Sequence, residues 1–286
     1  MGLSVTSKDK LVAASDLPRP KDYLMKASRI VLKVGTSNLT EEDSKISERK
    51  IARLVDEIMA LRREGREIFL VTSGAIASGL GVLGLKSRPR QMPFLQAAAS
   101  IGQSILMKTY AEHFAKYNQI VAQLLLTKED FMDEQRHQNL KNTLEALITW
   151  GVLPIVNEND TVAVDEIRFG DNDNLAALLS VSVKADLLVL LSDVDGIYTS
   201  DPNLTPNPKP LRTLTEVTPE LEAVAGGAHR GSGGLVTKLQ AAKVVLKAGI
   251  PMAILNGEDP QVIRELLKGE PVGTLFVPAK LVKGVE

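Results

Sequence analysis

Two clusters of carboxylates and carboxamides, Asn157-Glu158-Asn159-Asp160 and Asp171-Asn172-Asp173-Asn174, stand at the two ends of one short excursion of the chain. Groups of these types suit a zwitterion, because carboxylates accept from an ammonium while amide N–H groups donate to a carboxylate. The run 152–156 before the first cluster is short, apolar and β-branched, and it predicts a buried strand. Alternating Val162, Val164, Ile167 and Phe169 predict a small hairpin that returns the chain to the same edge. Asn172 to Asn174 then offer a cap to an apolar helix starting at Leu175. Asn, Asp and Gly also make ordinary turns and caps, and one such cluster alone would be read that way. Two of them flanking one hairpin, at the C-terminal ends of strands where open α/β sheets bind ligands, predict a site.

Three further turns have the chemistry of anion sites. Lys33-Val34-Gly35-Thr36-Ser37 ends a strand with a lysine, a glycine and two hydroxyls. Backbone N–H groups at such a turn can approach a phosphate closely while the ammonium neutralises it. Val71-Thr72-Ser73-Gly74-Ala75 repeats the arrangement at the next strand end. Gly231-Ser232-Gly233-Gly234 leads into a helix whose early turn carries Thr237 and Lys238, which adds a positive helix end and a second ammonium. Each turn alone is an ordinary connection. Three at one sheet edge, without a catalytic His or Cys, point to phosphoryl transfer by positioning and charge neutralisation. A buried strand ending in Ser192-Asp193-Val194-Asp195-Gly196-Ile197-Tyr198 adds a nucleotide clue, with Ser192 and Asp193 against the nucleotide and Tyr198 beside the base.

Two familiar nucleotide signatures fail. The chain has no Walker A sequence. Gly79-Leu80-Gly81-Val82-Leu83-Gly84 matches the dinucleotide fingerprint, but the preceding strand ends near Val71 and no acidic residue follows at the required distance.

The elements that must position these groups alternate along the chain. Runs 30–34, 68–71, 121–126, 152–156, 187–191 and 252–255 predict strands. Runs 51–61, 95–114, 140–150, 175–183 and 235–248 have apolar residues at helical spacing, with Gly65, Gly151 and Gly249 as stops. Several strands are apolar on both faces, as a parallel sheet covered by helices on both sides requires. The expectation is a three-layer α/β/α sandwich with a mainly parallel central sheet.

Composition narrows the function classes. A chain of 286 residues with 44% hydrophobic content buries a sizeable core, as one large or two small domains. A net charge of −1 gives no electrostatic argument for nucleic acid or membrane. The absence of cysteine excludes disulfides, thiolate catalysis and Cys-ligated zinc. His113, His137 and His229 are scattered in polar surroundings. No apolar run approaches the roughly 20 residues of a membrane span, and the loose myristoylation match at Met1-Gly2 has no polybasic segment after it. A cytoplasmic location is expected. Residues 1–28 read as a polar arm, 29–278 as the folded unit with two lobes, and 279–286 as a tail, with an exposed Pro-rich loop over 201–210.

From about Arg29 to Phe276 these pieces resemble the amino acid kinase family: the Lys33-Val34-Gly35 and Ser73-Gly74-Ala75 turns, the run 97–103, the two acidic-amide clusters, Gly233 to Lys238, and Gly273-Thr274-Leu275-Phe276. Asn157 to Asp160 together with Gly170 to Asn174 are similar to the branch that acts on glutamate. The resemblance implies ATP-dependent phosphorylation of the side-chain carboxylate of L-glutamate, at the start of proline biosynthesis. It implies that Lys33 and Lys238 hold and neutralise the phosphoryl group and that Asp173 orients them. By the same carry-over, Ser73, Gly74, Asn157, Asp160 and Asn172 bind glutamate. Gly35, Ser192, Asp193 and Tyr198 face ATP, with Ser232, Gly233, Gly234, Leu235, Val236, Thr237 and Lys238 along its phosphates. Mg2+ would bridge those phosphates without a dedicated protein cage, with Asp171 contributing from behind. An N-terminal lobe would bind glutamate and a C-terminal lobe ATP.

The resemblance further implies a homo-oligomer and proline as feedback inhibitor; the apolar residues of 95–114 fit either an interface between copies or a helix facing the core. It also implies hand-over of the product to glutamyl phosphate reductase, with no nucleic-acid or membrane partner. Many bacterial members carry a further C-terminal RNA-binding-like domain, which a chain ending shortly after Phe276 is expected to lack. Two alternatives remain open. One is a kinase of the same fold acting on acetylglutamate, aspartate, carbamate or a nucleotide. The other is a non-catalytic sensor of an amino acid or nucleotide. The paired clusters favour an acceptor with a free ammonium, and a pure binder has no use for Lys33, Asp173 and Lys238 together.

Overall fold

Strand β1 (Arg29–Val34) is hydrogen-bonded in parallel to β2 (Glu67–Val71) on one side and to β5 (Leu187–Ser192) on the other. The structure is a computed structural model, and it describes residues 20–43, 45–85, 87–163, 172–200, 208–227 and 233–282. Outward from β2 lie β4 (Leu153–Glu158) and the edge strand β3 (Val121–Leu126), both parallel to it. Outward from β5 lies the parallel β9 (Met252–Asn256), then β10 (Thr274–Phe276), antiparallel to β9, and β8 (Thr213–Leu214). Among the described residues this makes an eight-stranded sheet in the order β3-β4-β2-β1-β5-β9-β10-β8. A separate ribbon pairs β6 (Ile197–Tyr198) with β7 (Pro210–Leu211). All six strands expected from the sequence are present, and the sheet is mainly parallel as expected.

Strand parity decides which side chains meet which helices. Ile30, Leu32 and Val34 point into one core with Ile68, Leu70, Val189 and Leu191. Helices α2 (Glu48–Arg63) and α4 (Met92–Ala115) cover that face through Ile51, Leu54, Ile58, Leu106 and Tyr110. Val31 points the other way with Phe69, Val71, Leu188 and Leu190, under α6 (Asn172–Ser182) and α7 (Gly233–Ala248). Lys33 shares the parity of Val31, so it faces α6 and α7. Helices on both faces give the expected three layers.

Several helices begin earlier than their apolar periods do. Helix α5 (Glu134–Thr149) starts six residues before Leu140, because Asp133 caps it by accepting from the Arg136 N–H and its first turns are polar. Helix α6 starts at Asn172 rather than Leu175, which puts Asp173 in its first turn. Gly65, Gly151 and Gly249 do sit at left-handed φ of 85°, 71° and 79°, where the sequence placed helix stops. Near the N-terminus, α1 (Lys21–Lys26) forms with Leu24 fully buried, so the chain is docked before β1 begins.

The first of the dinucleotide-like glycines, Gly79, has a packing role. These glycines lie on α3 (Ala75–Val82) and its C-terminal turn, and α3 crosses α4 at backbone contact. A Cβ at Gly79 would lie 1.9 Å from Ala98 O, and one at Gly102 would lie 1.8 Å from Ala75 O. Only glycine permits this approach.

Candidate active site

The crossovers run one way from β1 to β2 and the other way to β5, so the crevice at the C-terminal ends of these strands is a topological switch point. Lys33 stands there one residue before the end of β1. Its ammonium lies 2.7 Å from Asp173 Oδ1, and the Lys238 ammonium, from the second turn of α7, lies 3.2 Å from Asp173 Oδ2. The Thr237 hydroxyl donates to the same Oδ2 at 2.9 Å, and Lys238 also donates to Gly234 O at 3.1 Å. All three charged groups are buried, at 7%, 1% and 8% exposure for Lys33, Asp173 and Lys238. Burial alone would push the Asp173 carboxyl up, but the two ammonium groups and the Thr237 hydroxyl hold it below the ordinary carboxylate range.

Two ammonium groups sharing one carboxylate leave a net charge of +1 in a place where charge is costly to bury. Such a cluster is incomplete without an anion. Gly35 and Gly234 lie beside the two ammonium groups. A Cβ at Gly234 would lie 3.5 Å from the Lys238 ammonium, and one at Gly35 4.0 Å from that of Lys33.

Beside the charged cluster lies a network of amides. Asn172 Nδ2 donates to Thr72 O at 3.0 Å, to Ser73 Oγ at 3.1 Å and to Asn157 Oδ1 at 3.0 Å. Asn157 Oδ1 also accepts from the Glu158 N–H at 2.9 Å, and its Nδ2 donates to Gln103 Oε1 at 2.8 Å. Thus α6, β4, the turn after β2 and α4 meet in one place. Gly74 makes that turn possible, with a left-handed φ of 96° at the start of α3. Behind it, Thr72 Oγ1 and the buried Tyr110 hydroxyl are 3.0 Å apart, and burial pushes the Tyr110 phenol up.

The structure therefore brings Lys33, Gly35, Ser73, Gly74, Asn157, Asn172, Asp173, Gly234, Thr237 and Lys238 to one sheet edge. Asp160 follows β4 on the same edge and is partly buried. Ser192 ends β5, where its hydroxyl donates to Asp193 Oδ1 at 3.0 Å and its carbonyl accepts from Asn38 and Gly257. Tyr198 lies farther on in the β6–β7 ribbon, with its hydroxyl on Asp195 at 2.8 Å. Burial and then Asp195 push that phenol up. On α7, Leu235 packs against the core and Val236 is exposed. The hairpin expected around Val164, Ile167 and Phe169, and the candidates Asp171 and Ser232, lie outside the described residues.

Gln103 closes the run 97–103 that carries part of the family resemblance, but the sequence assigns it no role in the site. It occupies the buried stripe of α4 with Leu95, Ala99, Leu106 and Tyr110. An amide amid the mostly apolar buried stripe of the helix was the signal that could have found it.

Comparisons with known proteins give the family and the fold. The sequence model described as the Amino acid kinase family matches residues 28–256. A glutamate 5-kinase from Caldanaerobacter subterraneus subsp. tengcongensis is 47% identical over 254 residues, covering 88% of this chain and 68% of that protein. A glutamate 5-kinase from Clostridium acetobutylicum is 47% identical over 258 residues, covering 90% of this chain and 97% of that protein. Among solved structures, carbamate kinase from Giardia lamblia bound to AMP-PNP matches with a TM-score of 0.62 at 17% identity, over 88% of this chain and 99% of that one. UMP kinase from Bacillus anthracis matches at 0.58 and 16% identity, over 88% of this chain and 97% of that one. At such identities the two structures speak for the fold alone.

Proposed function

This chain belongs to the amino acid kinase family, within its glutamate 5-kinase branch, and we propose that it transfers the terminal phosphoryl group of ATP to the side-chain carboxylate of L-glutamate. The observation that carries the reading is one buried carboxylate, Asp173, shared by two ammonium groups beside an amide network. A carboxylate acceptor is already ionised near neutral pH, so the reaction needs no general base. A carboxylate oxygen attacks the γ-phosphorus as the bond to the β,γ-bridging oxygen breaks, giving an acyl phosphate and ADP. The obstacle is bringing two anions together. Lys33 and Lys238 would meet the charge of the transferring group, and Asp173 would hold both in place.

Ser73, Gly74, Asn157, Asp160 and Asn172 would hold glutamate. Gly35, Ser192, Asp193, Tyr198 and the start of α7 would hold ATP. Magnesium would be carried mainly by the ATP phosphates and would offset their negative charge. Asp173, already taken by two lysines and a hydroxyl, is poorly placed to be its ligand. The same reading includes a cytoplasmic location, a homo-oligomer and hand-over of the reactive acyl phosphate to glutamyl phosphate reductase. Phe94 and Ile101, exposed on α4, support an interface there.

The test is ADP release from Mg-ATP with L-glutamate, N-acetyl-L-glutamate or L-aspartate, with hydroxylamine to trap an acyl phosphate. Glutamate-dependent ADP and hydroxamate are expected. Activity with another acid alone would overturn the choice of acceptor, and ATP binding with no turnover would favour a sensor. Proline carries the same α-carboxylate and a secondary ammonium, so it is expected to raise the apparent KM for glutamate. Glutamate saturation curves that do not move with added proline would remove it as an inhibitor.

A further inference from the structure

Gln103 Nε2 is a buried N–H donor without a partner among the described residues, on a side chain only 8% exposed. Asn172 Oδ1, on a partly buried side chain, is a buried acceptor without a partner among the described residues. Neither assignment depends on how the amides are turned. The Glu158 backbone N–H can only donate, so it fixes which atom of Asn157 is oxygen, and the Asn157 nitrogen must then face Gln103 Oε1. Likewise the Thr72 carbonyl can only accept, so it fixes the Asn172 nitrogen and leaves the Asn172 oxygen over. The relay Gln103–Asn157–Asn172 therefore ends in an unused donor at one side and an unused acceptor at the other.

Buried polar atoms are rarely left in this state without a function or a ligand. A carboxylate would satisfy the donor and an ammonium would satisfy the acceptor, which together make the α-carbon end of an amino acid. We propose that Gln103 is a specificity-determining residue, donating its side-chain N–H to the α-carboxylate of the acceptor while Asn172 Oδ1 takes the α-ammonium. This rests on the reading of the site as an amino acid kinase centre and says which end of the substrate each amide reads. It also explains why an apolar helix face carries one glutamine directly after Gly102. The close crossing of α3 and α4 at that glycine brings Gln103 within reach of β4.

The deciding variant is Gln103→Glu. Its carboxylate keeps an oxygen for Asn157 Nδ2 at the same chain length and replaces the N–H with a second oxygen facing the substrate carboxylate. The probes are L-glutamate and 4-aminobutyrate, which is glutamate without its α-carboxylate. At pH 8, kcat/KM for glutamate is expected to fall about 10- to 100-fold through KM. The values for 4-aminobutyrate and the KM for ATP are expected to stay within a few-fold of wild type. An equal fall for both acceptors would mean that Gln103 only supports the fold, and the proposal would be wrong.

Gln103→Met, which is neutral and of similar length, gives the same ratio if the glutamate variant does not fold. Should the wild-type protein turn over a different amino acid, the choice of glutamate fails. The ratio between that acid and its α-decarboxylated analogue then still decides Gln103. With no turnover at all, calorimetric binding of L-glutamate and 4-aminobutyrate to wild type and Gln103→Glu gives the same comparison.

Discussion

In Lys238→Ala, kcat falls by about 10²- to 10³-fold, while unfolding in the absence of nucleotide stays close to that of the wild-type protein. The reason lies in how charge is shared. Lys33 and Lys238 contact opposite oxygens of Asp173, and the three side chains together carry one positive charge in excess. Removing Lys238 leaves the pair Lys33 and Asp173, which is neutral, and the Thr237 hydroxyl still donates to the freed oxygen at 2.9 Å. The folded state thus loses little. The phosphoryl group loses one of the two cations that would meet its charge during transfer.

Asp173→Ala reverses the balance. Two buried ammonium groups are left with no carboxylate between them, and breaking a buried ion pair from one side costs about 3–5 kcal/mol. Turnover and stability should fall together. The Asp173 carboxyl titrates below its unfolded value of about 3.9, so its stabilisation is complete above that pH and is lost as pH falls through the folded value. The stability gap between wild type and Asp173→Ala is therefore expected to be constant above about pH 5 and to close in stronger acid. Urea unfolding across pH, with ADP release at saturating substrates, separates the two variants. Normal turnover in Lys238→Ala would take that lysine out of the reaction. Wild-type stability in Asp173→Ala would show that the lysines find compensation elsewhere.

How much of this was legible beforehand follows from where each signal resides. The central strands could be read because burial on both faces leaves a continuous apolar run, as in 187–191. Lys33, Ser73 and Asn157 were legible as strand-end residues, since parallel sheets gather such ends on one edge. From its own residues Lys238 could be placed only as far as an early helical turn; its pairing with Asp173 was expected only through the family resemblance, because it depends on how α6 and α7 pack. The short strands β8 and β10 were missed because two or three residues carry no period. Helix α3 was missed for a different reason: Gly79 and Gly81 lower helix propensity and imitate a nucleotide loop. The explanation of Gly79 is tertiary, in the backbone of α4, and nothing local announces it.

That contact sets a second large expected effect on stability. Gly102→Ala would place a Cβ 1.8 Å from Ala75 O and 2.4 Å from Gly79 N. Both are backbone atoms, so no side chain can swing aside, and α3 and α4 must separate. Overpacking usually costs about 1–3 kcal/mol and occasionally more. A backbone-to-backbone clash belongs at the upper end, about 3 kcal/mol, which for a chain of this size lowers Tm by about 6–12 °C. Gly65→Ala is the control, because Gly65 has a left-handed φ of 85° but nothing within 4 Å of its Cβ position. It pays only the left-handed strain of about 1–2 kcal/mol. The two substitutions thus separate lack of space from lack of conformational freedom. Function should follow the same separation. Ala75 directly follows Ser73 and Gly74, and Gln103 directly follows Gly102, so parting the helices pulls two sides of the amide network away from Asn157. The surviving folded fraction of Gly102→Ala should therefore show a raised KM for glutamate with an unchanged KM for ATP, whereas Gly65→Ala should change neither. A Gly102→Ala protein as stable as Gly65→Ala, with wild-type glutamate kinetics, would mean that the α3–α4 crossing has room to spare.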